Sequence, residues 1–386
     1  MPKHQSKIEK LIAEHCPKGV EFKKLGEVCE IADNKRKPVA SSLRVAGKIP
    51  YYGANNIQDY VEGFTHEGDY VLIAEDGSAS LENYSIQFAS GKFWANNHVH
   101  VVRGRNELNN KFLFHYLRSM NFVPYLTGGT RAKLTKGKML EIKIPLPPLD
   151  IQQEVAKILD TFTKLEAELE AELEARKKQY EHYRSELLTF KDGTERERER
   201  VRWAALSEVC LSITAGGDLP ENYMKGQNIK NKEFPYPIYS NGSNEKALYG
   251  YADSYKVDSE SVTISARGTI GFHAVRSPKF TPIVRLITLI PDVKTITAKF
   301  LNYILDITEI SHSGGSIPQL IVPDVKKIKI PVPSLTEQER IVSVLDKFNA
   351  LVNDISIGLP AELSARRFQY EYYRGKLLTF NEYAPA

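Results

Sequence analysis

Runs rich in β-branched residues alternate along the chain with runs that are apolar at helical spacing. DYVLIAEDG (69–77) and ESVTISARG (260–268) are β-branched runs closed by glycine, a pattern that predicts a strand leading into a turn. KFLFHYLRSM (111–120) and KFLNYILDI (299–307) are apolar at helical spacing and predict helices. The globular regions of the chain are therefore expected to mix α and β structure.

These elements occur twice, in the same order. VEFKKLGEVC aligns with VRWAALSEVC, and IKIPLPPLDIQQEVAKILD (142–160) aligns with IKIPVPSLTEQERIVSVLD (328–346). We call 142–160 and 328–346 the exit segments, because the chain leaves the globular region there. In each, IKIP predicts a short strand ended by proline. The prolines that follow prevent an earlier helix start, so Asp150 and Thr336 are the expected helix N-caps. Each half of the chain thus consists of a globular region, a proline-rich exit and a long helix.

The two long helices carry apolar stripes. LEAELEAELEA (165–175) repeats a tetrapeptide of strong helix formers, with Leu165, Leu169 and Leu173 along one edge. The helix ends read RKKQYEHYRSELLTF and RRFQYEYYRGKLLTF, and their apolar residues step by 3, 4 and 3, which predicts an a/d seam. The seam residues are Tyr180, Tyr183, Leu187 and Phe190 in the first helix and Tyr370, Tyr373, Leu377 and Phe380 in the second.

We expect these stripes to bury each other in an antiparallel helix pair, because a whole domain lies between them in sequence. Gly358 and Pro360 predict an interruption of the second helix. The expected fold is α+β, with two similar mixed α/β domains separated by two long antiparallel coiled-coil helices, and a pseudo-two-fold internal repeat. Its expected parts are 1–150, the first domain with an N-terminal helix; 151–190, the first helix; 191–335, the second domain with a charged linker at 191–200; and 336–386, the second helix and tail.

Composition indicates an ordinary globular protein. The 386 residues are 42% hydrophobic and 26% charged. No apolar run is long enough to span a membrane, and the polar MPKHQSKIEK start is unlike a signal peptide, so we expect a cytoplasmic protein without membrane contact. Three cysteines without a CxxC pair predict neither a zinc site nor a disulfide framework.

Charge is divided unevenly between the globular and helical segments. The net charge of +4 is small, but residues 1–150 hold 21 Lys and Arg against 16 Asp and Glu, and residues 191–334 hold 19 against 16. Residues 151–190 hold 6 against 9, and residues 335–386 hold 6 against 7. The basic balance of the globular parts favours a polyanionic partner.

The sequence lacks the common motifs of catalysis. There is no GxxxxGK[ST], no GxGxxG after a strand, no GxSxG and no HExxH, and LPPL (146–149) lacks the polar start and the ring of an amino-methyltransferase tetrad. PDVK at 291 and 323 is not followed at suitable spacing by the Glu-x-Lys of a metal-dependent nuclease. His98 and His100 alternate on a strand-like run, which favours structural histidines over metal ligands. The sequence therefore predicts a chain that is not an enzyme and holds no metal.

Two similar but divergent domains held apart by paired helices are suited to recognise two different features at a fixed separation. A helix of 40 residues (151–190) spans about 60 Å at about 1.5 Å per residue. Double-stranded DNA presents sites on one face about 34 Å apart, or at multiples of that distance. The layout therefore favours a DNA-reading protein.

Five stretches form a joint pattern that covers nearly the whole chain: the IKIPxPxLxxQxxxxxxLD exit, the CPKGVEFKKLGEVC opening, the RGTIG turn, the GGSIPQL stretch and the doubled QYExYRxxLLTF helix end. This pattern resembles the specificity (S) subunit of Type I restriction-modification systems. The resemblance implies a non-catalytic subunit whose two target-recognition domains each read one half of an asymmetric, bipartite DNA sequence. It also implies helices that set the spacer and dock two modification (methyltransferase) subunits. S-adenosylmethionine, ATP and Mg are then expected on the modification and restriction subunits, with no cofactor in this chain.

Aligned loops of the two domains supply candidate DNA contacts. Residues 128–133 lie opposite 314–319, and residues 74–78 lie opposite 265–269, so that one framework carries different side chains. Among these side chains, arginine and lysine suit guanine edges or phosphates, Gln319 suits adenine, and Asp76 suits the amino group of cytosine. The predicted DNA-binding residues are Lys35, Arg36, Lys37, Asp76, Ser78, Arg131, Lys133, Lys136, Arg267, Thr269, Ser316 and Gln319.

Several of these residues, and the chain as a whole, are also compatible with roles that do not involve DNA. Thr130 and Ser316 are suited to capping turns, and Lys133, Lys136 and Lys138 to a solvated face. The main alternative is a protein-binding scaffold whose helices join other coiled coils and whose globular domains bind peptides. Weak DNA affinity without a partner methyltransferase would favour it. A self-contained nuclease with a divergent site would show metal-dependent nicking, and the missing motifs argue against it.

Overall fold

The computed structural model describes residues 10, 12, 14–128, 132–190, 201–310 and 319–383. It falls into two compact units, Met1–Ala171 together with Glu362–Ala386, and Glu172–Ala361. Each unit contains one globular domain, the start of the long helix that follows that domain, and a segment of the long helix from the other half of the chain. The α+β fold with an internal repeat, predicted from the sequence, is confirmed.

The first domain is built from three sheets. Its strands are β1 (Glu21–Lys24), β2 (Cys29–Ile31), β3 (Ala46–Tyr52), β4 (Ile57–Val61), β5 (His66–Glu67), β6 (Tyr70–Ala74), β7 (Ile86–Ala89), β8 (Lys92–Ala95), β9 (Val99–Gly104) and β10 (Lys143–Leu146). Its helices are α1 (Leu25–Val28), α2 (Asn110–Ser119) and α3 (Lys136–Leu140), and the long α4 (Leu149–Leu188) follows. The sheets have the orders β1-β10, β2-β9-β6-β7 and β4-β3-β8-β5, and β3 and β8 run parallel.

The second domain repeats the first two sheets and the three central strands of the third, but its third sheet has the fourth strand at the opposite edge. Its strands are β11 (Arg202–Ala205), β12 (Cys210–Ala215), β13 (Tyr223–Lys225), β14 (Tyr236–Tyr239), β15 (Leu248–Ala252), β16 (Ser261–Ile264), β17 (His273–Arg276), β18 (Thr281–Pro282), β19 (Ile287–Pro291) and β20 (Lys329–Val332). Its helices are α5 (Leu206–Val209), α6 (Ala298–Asp306) and α7 (Val322–Lys327). The sheets are ordered β11-β20, β12-β19-β16-β17 and β13-β15-β14-β18, and β14 and β18 run parallel.

Each domain buries an apolar core between one helix and one four-stranded sheet. In the first domain α2 contacts β6, β7 and β9, and in the second α6 contacts β16, β17 and β19. The core side chains of these helices, among them Phe112, Leu117, Phe300 and Ile304, are fully buried. Burial of such side chains is the main driving force for folding, so each domain has its own source of stability. The helices and strands predicted from hydrophobic spacing are confirmed.

A buried glutamine fastens each long helix to its own domain. Gln152 Nε2 donates to the Glu107 carbonyl at 2.9 Å and to the Pro147 carbonyl at 2.8 Å, and its Oε1 accepts from the Asn109 N–H at 2.8 Å. Gln338 makes the same three bonds in the second domain and is also fully buried. Because every bond joins the helix to the backbone of the domain, this glutamine fixes the direction in which the helix leaves its domain.

The helix N-caps predicted from the sequence are wrong by two residues. The first helical bonds of α4 and of α8 (Leu335–Asn353) are accepted by the carbonyls of Pro148 and Ser334, at 3.1 and 2.9 Å. The Ser334 hydroxyl also accepts from the Glu337 N–H at 3.4 Å, whereas Pro148, which lacks an N–H, supplies its carbonyl alone. Asp150 and Thr336 therefore lie inside the first turn, where Asp150 Oδ1 accepts from the Ile151 N–H at 2.9 Å.

The predicted interruption of the second long helix is confirmed. Helix α8 ends at Asn353, and α9 (Leu359–Leu377) begins after a short break. A Cβ placed on Gly358 would lie 2.4 Å from the Ala350 carbonyl oxygen and 2.7 Å from that of Leu351. Only glycine therefore allows the chain to fold back this closely against the end of α8.

In the first unit, α9 packs antiparallel on the start of α4. The Phe162 ring lies 6.4 Å from the Tyr370 ring and 5.4 Å from the Tyr373 ring. Arg367, earlier in α9, pairs with Glu166, later in α4, at 2.6 Å. Contact positions thus rise along one helix as they fall along the other, and the predicted antiparallel pairing is confirmed.

The partner of each apolar stripe, however, differs from the expected one. In the second unit Tyr180 and Tyr183 lie 6.5 and 5.6 Å from Phe348 of α8. Phe348 follows the exit motif at the position that Phe162 occupies in the first half. Each stripe therefore packs on the start of the other long helix and not on the matching stripe. The reason is that the start of each long helix carries an aromatic ring, Phe162 or Phe348, beside its own domain.

Candidate nucleic-acid interface

In the first domain, two loops aligned by the sequence repeat meet at one edge. The turn after β6 contains Glu75, Asp76 and Gly77, and Gly77 has a φ of +71° that favours glycine. Asp76 forms a backbone bridge with Lys133, and the Leu134 N–H donates to the Glu75 carbonyl at 2.8 Å. We name this pairing of residues 75–78 with 132–134 the loop edge of the first domain.

The second domain has the same edge with different side chains. Gly268 repeats the φ of +71°, and the Leu320 N–H donates to the Ala266 carbonyl at 3.0 Å. Arg267 Nε and Nη2 donate to Gln319 Oε1 at 3.1 and 2.6 Å. Residues 266–269 with 319–320 form the loop edge of this domain, and the Arg267–Gln319 contact takes the place of the Asp76–Lys133 pair.

Arg36 lies beneath the first loop edge and is bound internally. Its Nη1 donates to Glu75 Oε2 at 2.6 Å and to the Val99 carbonyl at 2.8 Å. Lys133 Nζ reaches the other Glu75 oxygen at 2.9 Å. Burial alone would raise the pKa of Glu75, but the hydrogen bonds from Arg36 and Lys133 lower it below its ordinary value of 4.5. These contacts give Arg36 a structural role, and Lys133 keeps an exposed side as well as its ion pair.

His100 supports the same edge from the core. Its Nδ1 lies 2.7 Å from Asp33 Oδ2, and its Nε2 lies 2.9 Å from the Leu134 carbonyl oxygen. Asp33 Oδ1 also accepts from the Val101 N–H at 2.8 Å. Burial would raise the pKa of Asp33, but its bonds with His100 and Val101 lower it below its ordinary value of 3.8. The prediction that His100 is structural is confirmed, because both ring nitrogens are engaged inside the domain.

The remaining predicted DNA contacts fall into three groups. Lys35, Lys37 and Lys136 are exposed, as a phosphate contact requires. Ser78 and Thr269 bond within their turns, Ser78 to the Ser80 carbonyl at 2.8 Å and Thr269 to the Ser265 hydroxyl at 3.1 Å. Arg131 and Ser316 lie outside the described residues.

A third segment reaches each loop edge and was missed from the sequence. In the first domain His98, in the turn before β9, bonds through Nδ1 to Asp76 Oδ1 at 2.5 Å. The strand register pairs Ile73 with His100 and Ile264 with Ile287, which places Arg285 at the position of His98. No motif marks these turns, so only the pairing of the strands shows that they correspond.

The predicted helix stripes are partly covered and partly open. Leu173, Tyr180, Tyr370 and Leu377 are buried, and Leu169, Leu187, Phe190 and Phe380 are half-buried. Leu165, Tyr183 and Tyr373 remain exposed. The long helices thus keep apolar side chains on their surface after packing within their own units.

Metal-binding clusters and membrane-spanning helices are both absent from the described part of the chain. Within it, no group of three or more His, Cys, Asp or Glu side chains is placed to hold a metal ion. Over the same residues, no helix has the length and apolar character needed to cross a membrane.

Comparison with known proteins agrees with this architecture. The family described as Type I restriction modification DNA specificity domain matches residues 17–175 and 205–365. A putative type I restriction enzyme specificity subunit of Haemophilus influenzae is 45% identical, over 94% of this chain and 96% of its own length. A putative type I specificity subunit of Mycoplasma pneumoniae is 30% identical, over 93% and 97%. The S subunit structure from M. genitalium has a TM-score of 0.64 at 17% identity, over 93% and 96%.

The chain is a two-domain α+β protein with a duplicated DNA specificity domain. It belongs to the specificity subunits of Type I restriction-modification systems. Members of this family are the non-catalytic, DNA-binding components of their complexes and assemble with other subunits. This class of function is favoured over the protein-binding scaffold that the sequence had left open.

Proposed function

We propose that each domain of this chain reads one half of an asymmetric, two-part DNA sequence through its loop edge. One observation carries the proposal: a single backbone framework presents Asp76 and Lys133 in the first domain, and Arg267 and Gln319 in the second. Base edges in the major groove differ in their pattern of donors and acceptors. Two edges with different donors and acceptors therefore select two different half-sites.

The chemistry of each edge suits a different set of bases. A carboxylate such as Asp76 accepts from the cytosine amino group, and an ammonium such as Lys133 donates to guanine. In the second domain the Arg267 guanidinium is directed by the Gln319 carboxamide, with Nη2 donating to Oε1 at 2.6 Å. A guanidinium held in this way suits the paired acceptors of guanine. The exposed Lys35, Lys37 and Lys136 supply phosphate contacts that add affinity without sequence information.

The long helices set the distance between half-sites and dock two modification subunits. Support comes from the exposed apolar side chains that remain on them, Leu165, Tyr183 and Tyr373, and from Phe368, which is 74% exposed. Because the helices are repeated, two similar surfaces are available for two copies of one partner. S-adenosylmethionine, ATP and Mg belong on modification and restriction subunits in the cytoplasm.

The test is adenine-methylation mapping of genomic DNA from cells that express this chain with its cognate modification subunit. Cells that lack the chain serve as the control. We expect one asymmetric two-part motif that appears only when the chain is present. If the partner is folded and bound to the chain and no motif appears, sequence recognition is excluded.

A further inference from the structure

The turn between β18 and β19 in the second domain holds an unusual backbone conformation. Val284 and Arg285 both lie in the left-handed region, with φ of +52° and +61°. The Leu286 N–H donates to the Ile283 carbonyl at 3.1 Å and closes the turn. Left-handed backbone at both central positions characterises a type I′ turn, which strongly prefers asparagine and glycine. A β-branched residue such as Val284 is an outlier there.

Two glycines that directly follow β12 hold this turn in place. The Val284 N–H donates to the Gly217 carbonyl at 3.1 Å, and the Arg285 N–H donates to the Gly216 carbonyl at 3.0 Å. A Cβ on Gly216 would lie 2.8 Å from the backbone of Pro282, so the close approach of the two segments requires glycine. The backbone of the turn is therefore fixed at both central residues.

Asn241 ties the turn to the loop edge. Its Nδ2 donates to the Val284 carbonyl at 2.6 Å, and its Oδ1 accepts from the Ala266 N–H at 2.8 Å. Ala266 precedes Arg267, the predicted DNA contact of this edge. One carboxamide is thus bonded both to the segment that carries Arg267 and to the turn that carries Arg285.

The side chains of the turn face solvent. Val284 is 56% exposed, Arg285 is exposed, and within the described residues Arg285 forms no side-chain hydrogen bond or ion pair. In the first domain the equivalent His98 bonds to Asp76, and neither it nor Asn97 is left-handed. No internal contact of the Arg285 side chain therefore offsets the backbone strain of this turn. Strain of this kind clusters at binding sites.

We propose that Arg285 reads a base in the half-site of the second domain by bonding the edge of a guanine in the major groove, with Val284 in apolar contact beside it. The inference rests on the proposed DNA-reading function. A guanidinium donates two parallel bonds to guanine O6 and N7. A base contact of this geometry needs a fixed backbone, which the Gly216–Gly217 clamp provides, whereas a phosphate contact tolerates a flexible side chain.

The experiment uses the full complex of this chain with its modification subunit and compares the methylation motifs of the wild type, Arg285→Ala and Arg285→Lys. Arg285→Lys keeps the charge but loses the two-bond fork. Lys294→Ala is the matched control, because Lys294 is an exposed cation just beyond the other end of β19. Binding to duplexes that carry each of the four base pairs at every position of the second half-site gives the discrimination directly.

We expect both Arg285 variants to lose about 10- to 100-fold discrimination at one guanine of the second half-site. The first half-site and the Lys294→Ala motif stay unchanged.

An unchanged motif in Arg285→Ala overturns the inference. So does uniformly weaker binding with a smaller salt dependence and an intact motif, because that result identifies a phosphate contact. If Arg285→Ala fails to assemble, Arg285→Lys decides alone. A wild-type complex without any two-part motif would instead overturn the proposed function.

Discussion

At the scale of single residues, buried polar side chains do the positioning that apolar packing leaves undefined. Gln152 has no exposed surface, yet all three of its hydrogen bonds go to the backbone of the first domain. Apolar contacts are non-directional, whereas these bonds are satisfied in only one arrangement of helix and domain. The glutamine of each exit motif therefore specifies the joint between helix and domain.

Replacing this glutamine tests its role. We expect Gln152→Leu to lower the free energy of unfolding by about 2 kcal/mol or more, because each buried group left unpaired costs roughly 1–3 kcal/mol. The neighbouring Gln153 is exposed, so Gln153→Leu is the matched control and should change stability by less than about 0.5 kcal/mol. Urea unfolding of the two variants and the wild type measures both values. Equal losses in the two variants would show that the buried bonds are unimportant.

We expect His273 to make the stability of the second domain sensitive to pH. Its Nδ1 lies 2.9 Å from the Gly271 carbonyl and its Nε2 lies 3.1 Å from Asp306 Oδ1, so that both nitrogens face acceptors. Burial would lower the pKa of His273, but the bond with Asp306, the bond with Gly271 and the charge of Asp306 raise it above its ordinary value of 6.5. The folded state therefore binds the proton more tightly than the unfolded state.

The sign of the effect follows from linkage. A raised pKa in the folded state gives stability that is complete below pH 6.5 and is lost as pH rises through the folded-state pKa. We expect His273→Gln to lower the urea midpoint more in mildly acidic than in mildly alkaline buffer. His182 of α4 is well exposed, and His182→Gln is the matched control for replacing a histidine with glutamine. An equal effect of His273→Gln in both buffers would contradict the assignment.

At the scale of elements, a change in the length of α4 tests whether this helix sets the distance between the half-sites. It is continuous over 40 residues and runs from one unit into the other. One Leu-Glu-Ala-Glu unit inserted after Glu172 adds about 6 Å and nearly preserves the helix face, because four residues slightly exceed one turn. We expect the spacer between half-sites to lengthen by about one or two base pairs at about 3.4 Å each, with both half-sites retained.

The control is a two-residue insertion at the same point. It rotates the part of α4 that follows, which belongs to the second unit, by about 200° relative to the part before it, and should abolish assembly of the complex. Methylation mapping of both variants decides the matter. A spacer that does not change in the four-residue variant would show that α4 does not set the distance.

Elements with a periodic or repeated pattern could be predicted from the sequence, and single contacts between elements could not. The strands, the helices, the exits and the break at Gly358 follow from spacing, glycine and proline. The partner of each stripe was missed because Phe162 and Phe348 are lone aromatics outside the repeated windows. The match of His98 with Arg285 was missed because the two side chains share no chemistry, and only strand register places them at the same position.

At the scale of the whole molecule, the duplicated architecture predicts that the two recognition functions are independent. Each domain has its own buried core, and its loop edge is held by contacts within its own unit. Among the described residues, Lys133 and Arg267 share no hydrogen-bond partner. Substitutions at separate sites without shared partners usually add within about 0.5 kcal/mol.

We therefore expect Lys133→Ala to relax the first half-site alone, Arg267→Ala to relax the second alone, and the double variant to show both changes. Each should cost roughly 1–3 kcal/mol of discrimination at the affected base pair. Methylation mapping and duplex competition at fixed salt measure the effects, and Lys294→Ala again controls for lost charge. If either single variant altered the opposite half-site, the two domains would be coupled, and a ruler with two independent readers would be the wrong description. Independence would mean instead that either half-site can be changed by evolution without loss of the other.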